Sequence, residues 1–220
     1  MRQRYPILEF DPARQAIIEP SRILEPMNAP EHCVVCFFSE VIAQVVKDQR
    51  ATVIRNFKWE DGPHPLYEIK LRGKRLAILH PGVGASQAAA LLDDVIAVGC
   101  RKFIACGGAG VLDRKIAVGH IVVPTAAVRD EGTSYHYVPP SREVKATPRA
   151  VTAIKRTLRA HGVDFVSGKT WTTDAPYRET MGKVKLRRAE GCLTVEMEAA
   201  AFFAVAQFRR VPFAQMLYGG

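Results

Sequence analysis

The sequence predicts an α/β fold: a single domain built as a three-layer sandwich, with a mixed sheet covered by helices on both faces. Three observations predict it. Residues 34–38, 76–79 and 103–106 are wholly apolar runs of strand length, as expected of strands buried on both faces. Segments with helical spacing of apolar residues alternate with these runs. After residue 32 no repeat, low-complexity stretch or linker interrupts the alternation.

The elements follow in order. Pro6, Pro12, Pro20, Pro26 and Pro30 punctuate residues 1–32, which argues for an extended arm wrapped on the core. Strand 34–38 comes next, and Ser39 is placed to cap a helix over 40–49 whose stripe is Val41, Ile42, Val45 and Val46. Residues 51–58 and 65–71 read as half-buried strands split by the turn Asp61-Gly62-Pro63. Strand 75–79 breaks at His80-Pro-Gly-Val-Gly84, and 86–98 reads as a helix ended by Gly99. Strand 102–106 then runs into Gly107-Gly-Ala-Gly110. A strand over 120–124 follows, then a helix from Pro148 to Gly162 with Val151, Ile154 and Leu158 on its core face. A strand over 163–171, a basic helix over 178–190, an apolar helix over 197–209 and a strand over 213–218 complete the pattern.

Composition bounds the function. The chain has 220 residues, 48% hydrophobic and 24% charged, which suits a globular domain with a sizeable core and excludes disordered, collagen-like and disulfide-scaffold classes. No apolar run approaches the ~18 residues of a membrane span. The opening MRQRYPILEFDPARQ lacks the apolar core of a signal peptide, and five cysteines, an odd number, predict a reduced cytoplasmic protein. The net charge is +9, and residues 141–190 hold 12 Lys/Arg against 5 Asp/Glu, or +7 of it. No run of five like charges occurs and no aromatics interleave with the basic residues. The balance therefore fits an anionic small ligand or a solvated face rather than nucleic acid.

Several motifs carry chemistry. Gly82 and Gly84 at a strand-to-helix turn suit either a tight turn or a loop that admits an anion to free backbone N–H groups; Gln87 stands where a dinucleotide fingerprint needs its third glycine. Three glycines in residues 107–110 place bare backbone at a strand's carboxyl end, where α/β sheets bind ligands, or else allow close packing. Glu196 and Glu198 sit at the start of a greasy helix, where first-turn carboxylates favour the helix dipole. A carboxylate beside wholly buried neighbours also needs specific donors, and vicinal sugar hydroxyls are good ones. Cys33-x-x-Cys36 has metal spacing without a second pair and reads as buried core thiols, so no metal is expected. His136, between Tyr135 and Tyr137, reads as a surface or interface residue. No Gly-x-Ser-x-Gly elbow is present.

Together these residues resemble a known family. His80-Pro-Gly-Val-Gly84, Cys106-Gly-Gly-Ala-Gly110, Val118-Gly-His-Ile-Val-Val-Pro124, Val128-Arg-Asp-Glu-Gly-Thr-Ser-Tyr-His136 and Thr194-Val-Glu-Met-Glu-Ala199 occur in the order found in the nucleoside phosphorylase family. That family includes uridine phosphorylases, purine nucleoside phosphorylases and methylthioadenosine nucleosidases. The resemblance spans about residues 75–218 and implies a central mixed sheet partly closed as a barrel. It implies cleavage of a ribosyl N-glycosidic bond, usually by phosphate, through an oxocarbenium-like transition state. Glu198 would hold the ribose 2′- and 3′-hydroxyls, and Met197 would pack under the sugar. Glu196 would be structural or near the base. Gly84, Gly108, Ala109 and Gly110 would line the sugar and base pocket. Thr172 and Tyr177 would belong to a base loop over 172–178, where Arg178 would act on the base as the second catalytic residue. The expected ligand is a nucleoside, with phosphate as co-substrate and no cofactor, in a homodimer or larger assembly. The arm 1–32 and Tyr135–Tyr137 are candidate interface pieces.

The chain also departs from the family. The phosphate-binding Gly-Asp-Pro-x-Arg loop is replaced by Cys33-Val-Val-Cys-Phe-Phe-Ser39, the usual strand arginine by Ala105, and the following Ser/Thr by Gly108. Arg129, the basic 141–190 region or another subunit are candidate replacements. Domain 33–220 is expected to be short at its carboxyl end, since the family continues past residue 218 with a residue that serves the leaving base. Three functions follow: a phosphorylase, a nucleosidase that uses water, or a catalytically silent nucleoside-binding homologue.

Overall fold

Ten strands hydrogen-bond into one sheet in the computed structural model, which describes residues 2–220. The elements are α1 (Pro20–Ile23), β1 (His32–Cys36), α2 (Ser39–Asp48), β2 (Thr52–Trp59), β3 (Gly62–Leu71), β4 (Lys74–Leu79), α3 (Ala85–Val98) and β5 (Lys102–Val111). They continue with β6 (Ile121–Asp130), β7 (Glu143–Lys145), α4 (Pro148–Ala160), β8 (Phe165–Thr173), α5 (Met181–Ala189), β9 (Cys192–Glu196), α6 (Ala199–Arg209) and β10 (Phe213–Gly219). No helix among the described residues is long and apolar enough to cross a membrane.

The strand order is β2-β3-β4-β1-β5-β9-β8-β6-β10, and β10 pairs back onto β5. Strands β5, β9, β8, β6 and β10 therefore close into a ring, the barrel-like sheet expected from the sequence. The ring holds two parallel blocks joined by short antiparallel seams, Gly110↔Val195 with Val111↔Thr194 and Leu217↔Val122 with Tyr218↔Ile121. Strands β2, β3 and β4 form an antiparallel flap at the open edge.

Helix α6 explains the central core. Residues 199–206 are all buried, so it is apolar all round, as befits a helix enclosed by the fold. Phe202 stacks on Phe213 with ring centroids 4.8 Å apart, and α3 packs beside α6 on the same face of β1, β4 and β5. Helix α2 covers the opposite face of β1 and β4 through Ile42, against Cys36, Ile69 and Ile78. Cys33 and Cys36 lie three residues apart on one strand and belong to these two different clusters. They face opposite ways and cannot share a metal.

An ion-pair clip ties the arm to this core. Arg209 donates to both carboxylate oxygens of Asp93 on α3 (2.7 and 3.2 Å) and to Glu19 beside α1 (2.6 Å). Tyr137 Oη donates to the same Asp93 at 3.0 Å, and Arg14 of the arm lies 4.2 Å over the Phe208 ring.

Several boundaries differ from the sequence reading. Strand β5 does not end at Cys106 but continues through the glycines to Val111, because the glycines permit close packing. A Cβ on Gly107 would stand 2.9 Å from the Phe37 ring, and one on Gly110 3.0 Å from Val195. Strand β6 runs on past Pro124 to Asp130, since a register shift between Pro124 and Ala126 absorbs the proline's missing N–H. The basic helix begins at Met181 rather than 178: residues Pro176–Arg178 form a 3₁₀ turn, and Thr180 caps α5 by accepting the Lys183 N–H. The apolar helix begins at Ala199 rather than 197, and residues 192–196 form the unforeseen strand β9.

Candidate active site

The start of α6 lies where the carboxyl ends of β8 and β9 meet the loop after β4. Glu196 is the last residue of β9, and its carboxylate reaches forward to the helix. Oε2 accepts the N–H groups of Glu198 (2.7 Å) and Ala199 (2.6 Å), while Oε1 accepts the Thr172 hydroxyl at 2.7 Å. Thr172 in turn accepts the Ala200 N–H at 2.9 Å. Three N–H groups at the helix start are thus satisfied by side chains from two adjacent strands. Burial pushes the Glu196 carboxyl up to about 7, helped by the Glu198 charge and opposed by its hydrogen bonds. Thr172, expected in the base loop, and Glu196, expected to be structural or near the base, together build the helix start.

Removing this cap has a defined cost. Glu196→Ala leaves two helix N–H groups and the buried Thr172 hydroxyl without their acceptor, and is expected to destabilise the fold by about 2–4 kcal/mol in urea unfolding. Glu196→Gln keeps one acceptor oxygen and is expected to lose less.

Glu198 occupies the N-cap position of α6 and is also buried. Its Oε1 accepts the Gly84 N–H at 2.6 Å, across 114 residues of chain. Burial raises its pKa above the ordinary carboxylate range, the backbone N–H groups of Gly84 and Met197 oppose that, and the Asp174 charge adds to it. A carboxylate has about four acceptor sites, so capacity remains for donors from a ligand.

The loop that delivers Gly84 is turned inward. Gly82 N–H donates to His80 Nδ1 (3.1 Å), Val83 N–H to Gln87 Oε1 (3.3 Å) and Gly84 N–H to Glu198. The amides of residues 82–84 are therefore used within the protein, as in a tight turn, while no side chain caps the helix start that follows. Gly82 has φ +73°, and a side chain there would collide with Gln87. Gln87 also donates to Asp61, which sits 3.0 Å from His64 Nε2, so the β2–β3 turn is latched to this loop. Phe37 packs beside this loop, with its ring edge-on to His80 and to Phe202 at centroid distances of 6.2 Å.

The other predicted residues divide. Met197 is half-buried between the two glutamates. Gly108 is exposed, and a Cβ there would lie 3.1 Å from the Tyr218 ring; Ala109 is buried. Tyr177 is 98% exposed and Arg178 shares its 3₁₀ turn in solvent, so neither touches Glu198. Arg129 is no substitute phosphate ligand: its guanidinium is spent on Ser134, Pro139, Ser141 and Val138, with Tyr135 4.1 Å away, and so holds the loop after β6. Asp174 is the residue that sequence reasoning passed over. It accepts the Gly132 N–H at 2.8 Å and presents a second carboxylate toward Glu198. Its signal was its place at the end of β8, within the stretch already marked as a base loop.

A canyon of about 1180 Å³ runs between the arm, the β2 strand and α3. Its inner end at Ser86 and Gly132 adjoins the residues around Glu198, and His136 and Tyr137 stand on its wall.

A partly closed mixed sheet with a buried carboxylate at its strand ends is an α/β protein with its ligand site at the position such sheets provide. A profile of the Phosphorylase superfamily matches residues 31–218, and the chain belongs to that superfamily. Among curated proteins it is similar to a guanosine phosphorylase of Halorubrum lacusprofundi, 34% identical over 137 residues, covering 61% of this chain and 56% of that protein. The chain spans 56–59% of the length of this and another such relative. Among solved structures it resembles a uridine phosphorylase from Vibrio fischeri (TM-score 0.78, 22% identical, covering 88% of this chain and 80% of that one). It also resembles an AMP nucleosidase from Bacteroides thetaiotaomicron (TM-score 0.76, 22% identical, covering 88% and 82%). At these identities the structural likeness speaks for the fold.

Proposed function

We propose that the chain cleaves the ribosyl N-glycosidic bond of a nucleoside with phosphate as acceptor. The observation that carries this reading is Glu198: a buried carboxylate at the start of α6, anchored by one backbone N–H and with acceptor capacity left for further donors. Ribose 2′- and 3′-hydroxyls are the donors it suits, and Met197 beside it supplies the apolar surface under the sugar. Fixing the hydroxyls on a buried anion favours the transition state, in which the ribose ring becomes cationic. A phosphate oxygen forms the new bond to the anomeric carbon as the C–N bond breaks, and the base leaves with the electron pair. Asp174 and Gly132 stand on the base side; Tyr177 and Arg178 join them only if their turn folds inward. The phosphorylases among the curated relatives support phosphate as the acceptor. So does the N-terminus of α2, which no side chain caps and which follows the strand where the family binds phosphate.

One observation favours a second reading, hydrolysis. The family's own phosphate ligands are not in place: position 105 is alanine and Arg129 is engaged elsewhere. Base release from guanosine, uridine and methylthioadenosine, measured with and without phosphate, separates the two. Phosphorolysis predicts base release that requires phosphate and yields ribose 1-phosphate. Equal turnover in phosphate-free buffer would replace it with hydrolysis. We further expect a homodimer or larger assembly, in which a second subunit completes the phosphate site.

A further inference from the structure

The five cysteines include two neighbouring pairs. Cys33 and Cys100 are both sealed in the core, at 2% and 0% exposure. Cys36 and Cys106 differ: Cys36 is buried but Cys106 is only partly so, and they stand opposite each other on the parallel strands β1 and β5. Directly paired residues on adjacent strands project to the same face about 4.8 Å apart, within the Cα spacing of a disulfide. The two thiols interact, and Cys36 also lies 4.0 Å from the Phe38 carbonyl oxygen. The Cys106 thiol beside it lowers the Cys36 pKa, against burial, which makes Cys36 the more acidic thiol of the pair.

We propose that Cys36 and Cys106 form a reversible redox site that reacts with peroxide and acts on Phe37 and the loop at His80 packed against it. The Cys36 thiolate attacks a peroxide oxygen entering past Cys106. The O–O bond breaks, giving a sulfenic acid and hydroxide. The Cys106 thiol then attacks the Cys36 sulfur, the S–O bond breaks, and water leaves. Two thiols and one hydrogen peroxide thus become one disulfide and two waters. The effect follows from the next residues along the two strands, Phe37 and Gly107. They pack so that a Cβ on Gly107 would stand 2.9 Å from the Phe37 ring, and Phe37 also contacts His80 and Phe202. Parallel side chains keep their Cβ atoms wider apart than a disulfide needs, so closing the bond draws the strand ends together by roughly 1 Å. Phe37 is then driven against Gly107 and must move.

The test uses the whole chain treated with hydrogen peroxide, blocked with an alkylating agent, digested and mapped by mass. The expected result is loss of two free thiols, a Cys36–Cys106 crosslinked peptide, and recovery of both thiols with dithiothreitol. Amide exchange across residues 36–38 and 106–108 is expected to change in the oxidised protein and revert on reduction. Cys36→Ser and Cys106→Ser, made separately, each remove the crosslink and the exchange change. A crosslink between other cysteines, no loss of thiols, or a Cys36–Cys106 crosslink with unaltered exchange overturns the proposal. Under the nucleoside reading, turnover also falls by roughly 10-fold or more on oxidation, as displaced site walls cost. If that reading is wrong, turnover is absent in both redox states, and the crosslink and exchange data still decide this site.

Discussion

Glu198→Ala is expected to lower kcat/KM for nucleoside cleavage by at least ~10²-fold, because a charged hydrogen-bond acceptor for the sugar is removed from a buried site. The substitution also releases the Gly84 N–H and with it the loop that packs on Phe37 and His80. Glu198→Gln separates the two effects, since the amide oxygen still accepts from Gly84 while the charge is gone. A large loss in both variants assigns the effect to the charge; a loss in alanine alone assigns it to the loop. The pH profile gives an independent readout. The carboxylate must be ionised to hold the hydroxyls, and burial has raised its pKa above the ordinary 4.5. Acidification should therefore reduce kcat/KM with an inflection above 4.5, a limb the glutamine variant should lack.

Arg209→Ala is expected to cost about 3–5 kcal/mol of stability at neutral pH, since it leaves Asp93 and Glu19 buried together without their cation. Urea unfolding of the variant against the parent measures that loss. Limited proteolysis should also cut faster within residues 2–27, because Glu19 is the arm's charged attachment to α6. Equal stability of variant and parent would mean that the clip does not hold the fold through charge pairing.

The strands were legible where their chemistry was local. The apolar runs at 34–38, 76–79 and 103–106 needed no partner to be recognised; the last two lie in buried strands, and the first outruns β1, which ends at Cys36. The site was legible at Glu198, where a carboxylate borders a wholly apolar helix. It was less legible one turn away. Glu196 has the composition of a helix start but ends a strand, because the groups it satisfies belong to residues after it and to Thr172 on another strand. Residues 107–110 read locally either as backbone bared for a ligand or as close packing, and Phe37 and Val195, 70 and 85 positions away in sequence, account for two of the three glycines by packing. Arg129 looked available because nothing in its local sequence shows the four partners that its loop brings to it. Each miss is a long-range contact overriding a local pattern.

The way the barrel closes also sets the order in which the protein can be assembled. Strand β10 alone joins β5 to β6, so the ring stays open until residues 213–219 have been made. Until then α6 lacks Phe213, its stacking partner, and the seam strands β5 and β6 carry exposed edges. At synthesis rates of about 5–20 residues per second, more than a hundred residues of β5 and its successors wait several seconds for their last neighbour. During that interval the open strand edges can pair with another chain, which makes it the stage most exposed to aggregation.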